Sequence, residues 1–293
     1  MWNLKSLHCD FGVEVEDVYL PFLSYRDFEK LRRIIHQHGF GLLRNQSLGA
    51  ETMVKIAKCF GIPLSGYRPE FTHSEHPELV LLGNIVENGK TVTYLNTQGV
   101  EWHTDGTGAI LPPNVTMLYA VEVPTRGGET LFASAVKSYE SLPKSLRVEI
   151  EGVQVVNSFD HHNDRVSTFQ GTNVNPRTKA QRNRNPDKVE PLVQTHPITG
   201  EAHLFVTHQM VKEVCGYDTN AGKDLIMTLV DHMTKTERVY THRWRPGDLI
   251  VFDNRSTIHS ATPYDYPDQR RLMYQIIVGS RESEHKVMLG DEG

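Results

Sequence analysis

A chain of 293 residues is long enough to bury a substantial core, and 38% hydrophobic with 23% charged residues is the balance of an ordinary globular protein. A formal net charge of -5 argues against a surface built to displace counterions from nucleic acid, and no stretch approaches the roughly 18 to 20 apolar residues of a membrane span. Cys9, Cys59 and Cys215 are far apart with no CxxC spacing and read as reduced thiols; with no signal-peptide pattern at the start, the expectation is a cytoplasmic protein.

In chain order, Phe28, Leu31, Ile34 and Ile35 have helical spacing between Asp27 and Gln37 and run into a strand-like Gly39–Leu43. A second helix is expected from Ala50 to Cys59, ended by Gly61-Ile62-Pro63. From Glu78 the character changes to short β-prone segments between Gly and Pro punctuation: 79–82, 115–121, 129–132, 202–206, 249–252 and 272–278. Helices are expected at Ala135–Glu151 and Lys223–Met233. Many short strands with a few helices outside predict a mainly β, barrel-like double sheet in a single domain, 1–293. The polar stretch Ser158–Glu190 cannot supply much core and reads as a lid or a disordered insertion, with His161 and His162 facing solvent.

The strongest chemical signal is Trp102-His103-Thr104-Asp105-Gly106. In an extended segment residues i and i+2 share a side, so His103 and Asp105 can aim an imidazole nitrogen and a carboxylate oxygen at one point. His-x-Asp alone is weak, and a third ligand must come from among the remaining histidines, which include His161, His162, His196, His203, His208, His242 and His259. His259 lies just past a buried strand launched at Pro246-Gly247 and turned at Asp253-Asn254, which makes it the best placed; His196 and His203 read as ordinary strand or turn residues. Two histidines and one carboxylate leave open positions, which suit iron(II) binding a cosubstrate and O2. Arg271, twelve positions after His259, opens the final strand and could grip a carboxylate bidentately, with the Thr130 hydroxyl beside it; Arg270 would point the other way, to the surface.

These blocks, with Pro112-Pro113, Gly127-Gly128-Glu129-Thr130-Leu131, Thr195-His196-Pro197-Ile198-Thr199-Gly200, Arg243-Trp244-Arg245-Pro246-Gly247-Asp248 and Gln269-Arg270-Arg271-Leu272-Met273, resemble the taurine and 2,4-dichlorophenoxyacetate dioxygenases over about Gly39 to Ser280. The resemblance implies a double-stranded β-helix, the cupin-like jelly roll, with iron on His103, Asp105 and His259 and the distal carboxylate of 2-oxoglutarate on Thr130 and Arg271. Taurine-oxidising members carry an arginine four residues beyond the cosubstrate arginine, an asparagine four before the first ligand, and a histidine in the region of Ser65–Tyr67. This chain has Gln275, Gly99 and no histidine there, so a sulfonate is not the expected substrate. With Asp105 in place, oxygen transfer or desaturation is expected rather than halogenation.

By position, Tyr67, Asn96, Gln98, Gly106, Phe205, Thr207, His208, Gln209 and Gln275 are candidates to line a substrate pocket. Their amide, hydroxyl and imidazole groups suit a polar, uncharged small organic molecule, such as a specialised metabolite or modified amino acid. Hydroxylation of an aliphatic C–H is the expected outcome, with desaturation, cyclisation or oxidative decarboxylation as alternatives. An inactive jelly-roll binding protein or a zinc hydrolase are the rivals from other classes, and homo-oligomerisation is left open.

Overall fold

The computed structural model describes residues 2–66, 69–94, 97, 99–107, 113–170, 177–184 and 186–280. Two sheets face each other. The larger, nine-stranded among the described residues, runs Leu4–Ser6, Val13–Val15, Phe40–Leu43, Leu249–Asp253, Pro113–Glu122, Leu272–Gly279, His76–Gly83 and Thr72–His73, with Ile62–Pro63 also paired to Leu272–Gly279. The smaller has four strands in the order Val239–His242, Thr130–Ser134, Thr257–Ala261, Val100–His103. This is the mainly β architecture with outer helices expected of the sequence.

Period-two alternation sorts the large sheet's side chains into two cores. One face, through Val115, Met117, Tyr119, Leu249, Val251, Ile276 and Val278, packs on α1 (Tyr25–His38) and α2 (Ala50–Phe60). The other, through Leu118, Ala120, Ile250, Phe252 and Met273, meets Phe132 of the small sheet in the interior. Leu249–Asp253 is therefore buried on both faces and carries no polar alternation in its sequence. The helix α1 starts where Ser24 and Asp27 form a reciprocal capping box, and its Phe28, Leu31, Ile34 and Ile35 form the stripe that seals the outer face.

Three expectations shift. The helix expected at 135–151 is two, α3 (Ala135–Glu140) and α4 (Lys144–Glu149), because Pro143 cannot continue a helix and sits as the N-cap of the second. The segment 158–190 holds α5 (Phe159–Gln170), α6 (Lys179–Arg184) and most of the strand Lys188–Pro191, which joins Gln154–Asn157 and Val211–Val214 in a three-stranded sheet. His161 and His162 are half-buried on α5 rather than turned to solvent. The last helix, α7 (Thr219–Met233), begins four residues early because Asp218 caps it, accepting from the backbone N–H groups of Asn220 and Ala221. Its Leu225, Ile226, Leu229 and Val230 cover the outer face of the small sheet together with Ala133 and Ile258. Among the described residues no helix is long and apolar enough to cross a membrane.

Candidate active site

The strands Val100–His103 and Thr257–Ala261 are antiparallel neighbours with His103 directly opposite His259, which brings the two rings to 4.1 Å between centroids. Asp105 does not lie in that strand; it opens a turn, Asp105–Thr107, just beyond it, so a turn supplies the convergence that extended alternation was expected to give. Its Oδ1 is 3.6 Å from His103 Nε2 and its Oδ2 is 3.9 Å from His259 Nε2. Two metal bonds of about 2.1 Å span up to about 4.2 Å, so these three side chains could hold one ion between them.

Their protonation states fit that task. Burial pushes His259 down to about 3, and the facing His103 adds to the effect against the opposing pull of Asp105, so the ring is neutral with a lone pair to offer at pH 7. Burial alone would raise Asp105, but His259, His103 and a hydrogen bond from Thr116 prevail and hold it at about 2. His103 Nδ1 lies 2.8 Å from the Glu101 carbonyl, which fixes the tautomer that leaves Nε2 free. Phe132 and Phe252 stack on His259 at centroid distances of 6.0 and 4.7 Å and close the apolar side of the site.

The launch of the His259 strand explains the buried polar residues around it. Asp253 ends its strand with Oδ1 accepting from the Arg255 N–H and its carbonyl accepting from the Thr257 hydroxyl, the expected turn. Its Oδ2 sits 2.5 Å from His36 Nδ1 and 2.7 Å from His196 Nε2. His196 Nδ1 accepts from the N–H groups of Ile198 and Thr199, so its Nε2 carries the proton given to Asp253. His196 is thus a strut between the Val193–Thr195/Ala202–Leu204 hairpin and the turn before His259, not an ordinary turn residue. His203 packs edge-on against it and is buried.

Arg271 lies just before the strand Leu272–Gly279 rather than in it, 4% exposed, its side chain without an acidic partner and its Nε without a hydrogen bond among the described residues. Its backbone is clamped by Asn84, whose Oδ1 accepts from Arg271 N at 2.8 Å, and Gly83 permits the approach: a Cβ there would stand 1.9 Å from the Arg271 carbonyl oxygen. The buried hydroxyl of Tyr264 also has no partner, and the Tyr264 ring lies 5.7 Å from the guanidinium. Thr130 is buried in the small sheet, and its Oγ1 accepts from Trp244 Nε1 at 2.9 Å, which leaves its own proton to donate. Arg270 is exposed and pairs with Glu122 at 2.8 Å, the surface role expected of it, although it precedes the strand.

Of the expected pocket residues, Tyr67, Asn96 and Gln98 lie outside the described residues. Gly106 sits in the Asp105 turn with φ of 69°. Phe205, Thr207, His208 and Gln209 form the stretch that crosses beside Val100–His103, where Gln209 Nε2 donates to the Glu101 carbonyl at 3.2 Å. The Thr207 hydroxyl is buried without a partner, and His208 is half-buried. Gln275 is engaged by Asp105, its Nε2 3.3 Å from Oδ2. Gly99 is compelled: at φ of 83° a Cβ would lie 2.6 Å from the Ala261 carbonyl oxygen, so no side chain can stand there without backbone movement.

Sequence reasoning missed Asn84, Glu101, Thr116, Trp244 and Tyr264, whose partners are distant in the chain. The carboxylate of Glu101 in turn takes Arg165 of α5 at 2.9 Å, so one residue joins the His103 tautomer to that helix.

Comparison with known proteins matches residues 3–276 to the taurine catabolism dioxygenase TauD, TfdA family. The chain is 30% identical over 281 residues to an alpha-ketoglutarate-dependent 2,4-dichlorophenoxyacetate dioxygenase from Cupriavidus pinatubonensis, covering 92% of this chain and 94% of that one. It is 29% identical over 233 residues to pentalenolactone F synthase from Streptomyces arenae, covering 78% and 77%. The crystal structure of a taurine dioxygenase from Burkholderia xenovorans superimposes with a TM-score of 0.77 at 26% identity, over 95% of this chain and 89% of that one. With the family spanning nearly the whole chain and the jelly roll shared, the protein belongs to the TauD/TfdA family and is a 2-oxoglutarate-dependent non-haem iron dioxygenase.

Proposed function

We propose that His103, Asp105 and His259 hold the iron, that Arg271 and Thr130 bind the distal carboxylate of 2-oxoglutarate, and that the enzyme hydroxylates an aliphatic C–H of a polar, uncharged small organic molecule. The observation that carries the cosubstrate assignment is Arg271: a cation buried to 4% exposure, without an acidic partner among the described residues, with the Tyr264 ring 5.7 Å from its guanidinium. Such a group is costly to keep unless an anion comes to it. Iron(II), when bound, reduces O2 at the expense of 2-oxoglutarate, which leaves as succinate and carbon dioxide, and one oxygen atom goes to the substrate.

The chain's own residues supply geometry and exclusion. Neutral His259 and ionised Asp105 present lone pairs without first having to lose a proton at pH 7. Arg271 and Thr130 orient the cosubstrate, and Phe132 and Phe252 keep water from the His259 side. The stretch Thr207–Gln209 faces the substrate, and α5, tied to the site through Arg165 and Glu101, forms the described part of a lid over 158–190.

The substrate reading rests on what is missing. Gln275 offers no positive charge where taurine-oxidising members carry an arginine, and it is already committed to Asp105. The relatives' own names range from an aryloxyacetate to a sulfate ester to pentalenolactone F, so this scaffold accepts chemically unrelated substrates and the family alone does not choose one. Anaerobic titration with iron(II) and 2-oxoglutarate should give an absorption band that His259→Ala abolishes; a band that persists would remove His259 from the ligand set. A panel of polar metabolites and modified amino acids, read by succinate release and product mass, should give a product heavier by one oxygen atom. Tight taurine binding with taurine-dependent succinate release would overturn the substrate class.

A further inference from the structure

Asp105 is held by more than its two histidine neighbours. The Thr116 hydroxyl donates to its Oδ2 at 2.9 Å and Gln275 Nε2 lies 3.3 Å from the same oxygen. Thr116 Oγ1 in turn accepts from Asn254 Nδ2 at 3.0 Å. All four side chains are buried, and they come from two adjacent strands of the large sheet, the turn at Asp105–Thr107 and the turn between Asp253 and Thr257. A carboxylate oxygen has two lone pairs in its plane, and two donors occupy both on Oδ2. Among the described residues the nearest group to Oδ1 at hydrogen-bonding distance or just beyond is His103 Nε2, at 3.6 Å.

We propose that Asn254, Thr116 and Gln275 act as a positioning clamp that restricts Asp105 to one metal-binding oxygen, Oδ1, so that the coordination position a second carboxylate oxygen would take stays open. This rests on the ligand set proposed above. An octahedral ion bound by two imidazoles and one carboxylate oxygen keeps three positions, which is the number that a two-point chelating keto acid and O2 require together. A carboxylate free to swing onto the metal with both oxygens would remove one of the three. Thr116 is the pivot: Asn254 Nδ2, a donor, takes an acceptor lone pair of Thr116 Oγ1, and the single Thr116 proton goes to Asp105.

The clamp also accounts for Gln275. The position that carries an arginine in taurine-oxidising members here carries an amide whose N–H points at the metal-site carboxylate and whose Oε1 is buried with no partner. Specificity and metal geometry therefore meet at one side chain.

The test uses the full chain freed of metal, with Co(II) as the probe, its visible spectrum reporting coordination and titration giving affinity. Thr116→Val and Gln275→Leu should each weaken Co(II) binding about 10–100-fold, alter the Co(II) spectrum, and weaken 2-oxoglutarate binding to the Co(II)-loaded protein. Thr116→Ser keeps the donor and should restore both affinities and the spectrum. Should Thr116→Val fail to fold, Gln275→Leu against Thr116→Ser carries the same comparison. Co(II) affinity and spectrum unchanged in both clamp variants, while His259→Ala loses the metal, would overturn the clamp and leave the ligand set standing. Co(II) binding that survives His259→Ala would overturn the ligand set and the clamp with it. A fall in melting temperature with metal binding intact would make Thr116 and Gln275 merely structural and overturn the clamp.

Discussion

Arg271→Leu should make the protein more stable and less able to bind its cosubstrate at the same time. The guanidinium is 4% exposed, burial lowers its pKa from the ordinary arginine value, and its Nε has no hydrogen bond. An unsatisfied buried polar group costs about 1–3 kcal/mol, more when charged. Replacing it with an apolar side chain should therefore raise apoprotein stability by about 1–3 kcal/mol, a melting-temperature gain of about 2–4 °C per kcal/mol for a chain of this size. The loss on the binding side is larger. Truncating one partner of a buried charge pair costs about 2–5 kcal/mol, which weakens 2-oxoglutarate by about 30-fold or more. Melting with Mn(II), without and with 2-oxoglutarate, should then give curves that exchange order: the variant higher alone, the wild type higher with cosubstrate, since a ligand at 100 times its Kd adds about 2.7 kcal/mol. Arg271→Lys should not rescue binding, because a point charge lacks the planar fork. A variant that melts lower without cosubstrate and still binds it would show that Arg271 serves a structural ion pair and would refute the reasoning.

His203 gives a pH prediction. Burial, helped by His196, pushes it down to about 4 from 6.5, so the folded state refuses a proton that the unfolded chain accepts. Stability should hold above pH 6.5 and fall between 6.5 and 4, by about 3 kcal/mol from this residue; urea unfolding of wild type and His203→Gln across that range should show a shallower slope in the variant, and equal slopes would sink the assignment. Arg165→Ala unlatches α5 from Glu101 and should let succinate release exceed product formation, read by quantifying both in one reaction; equal coupling would mean that α5 does not shield the site. Trp244→Phe removes the donor to Thr130 and should raise the KM for 2-oxoglutarate a few-fold with kcat little changed, whereas a change in kcat alone would place Thr130 elsewhere in the reaction.

The sequence made the amphipathic elements legible and hid those decided by distant partners. α1 and α2 present stripes at 3.6-residue spacing and were placed nearly to the residue. Leu249–Asp253, buried on both faces, offers only a short apolar run, and its flanking turns had to mark it. Polarity at 158–190 left open a lid or a disordered insertion and did not show the two helices and the strand residues that the segment holds. There α5 is held by polar contacts, Arg165 to Glu101 and Arg182 of α6 to Asp160, which a hydrophobicity pattern does not register. His203 lies in a strand as expected, but His196 carried no sign in its sequence context that an aspartate 57 positions later would hold it in the interior.

The site divides along the same line. His103, Asp105, His259, Arg271 and Thr130 could be named as candidates from local sequence context, and the structure brings His103, Asp105 and His259 together through the His103–His259 register and the turn at Asp105. Their partners were not, since Thr116 and Gln275 reach Asp105 from separate strands, with Asn254 behind Thr116, and no spacing rule links positions 11 or 170 residues apart. Gln275 shows the consequence. From the sequence it reads only as an absent arginine, a statement about which substrates are excluded; in the fold it is bound to the carboxylate at the centre of the chemistry. A substitution that restores arginine at 275 would therefore do two things at once, adding a cation toward the substrate and removing the amide from Asp105. Gln275→Arg should weaken Co(II) binding as well as alter substrate preference, and a variant that gains affinity for an anionic substrate with metal binding intact would show the two roles to be separable.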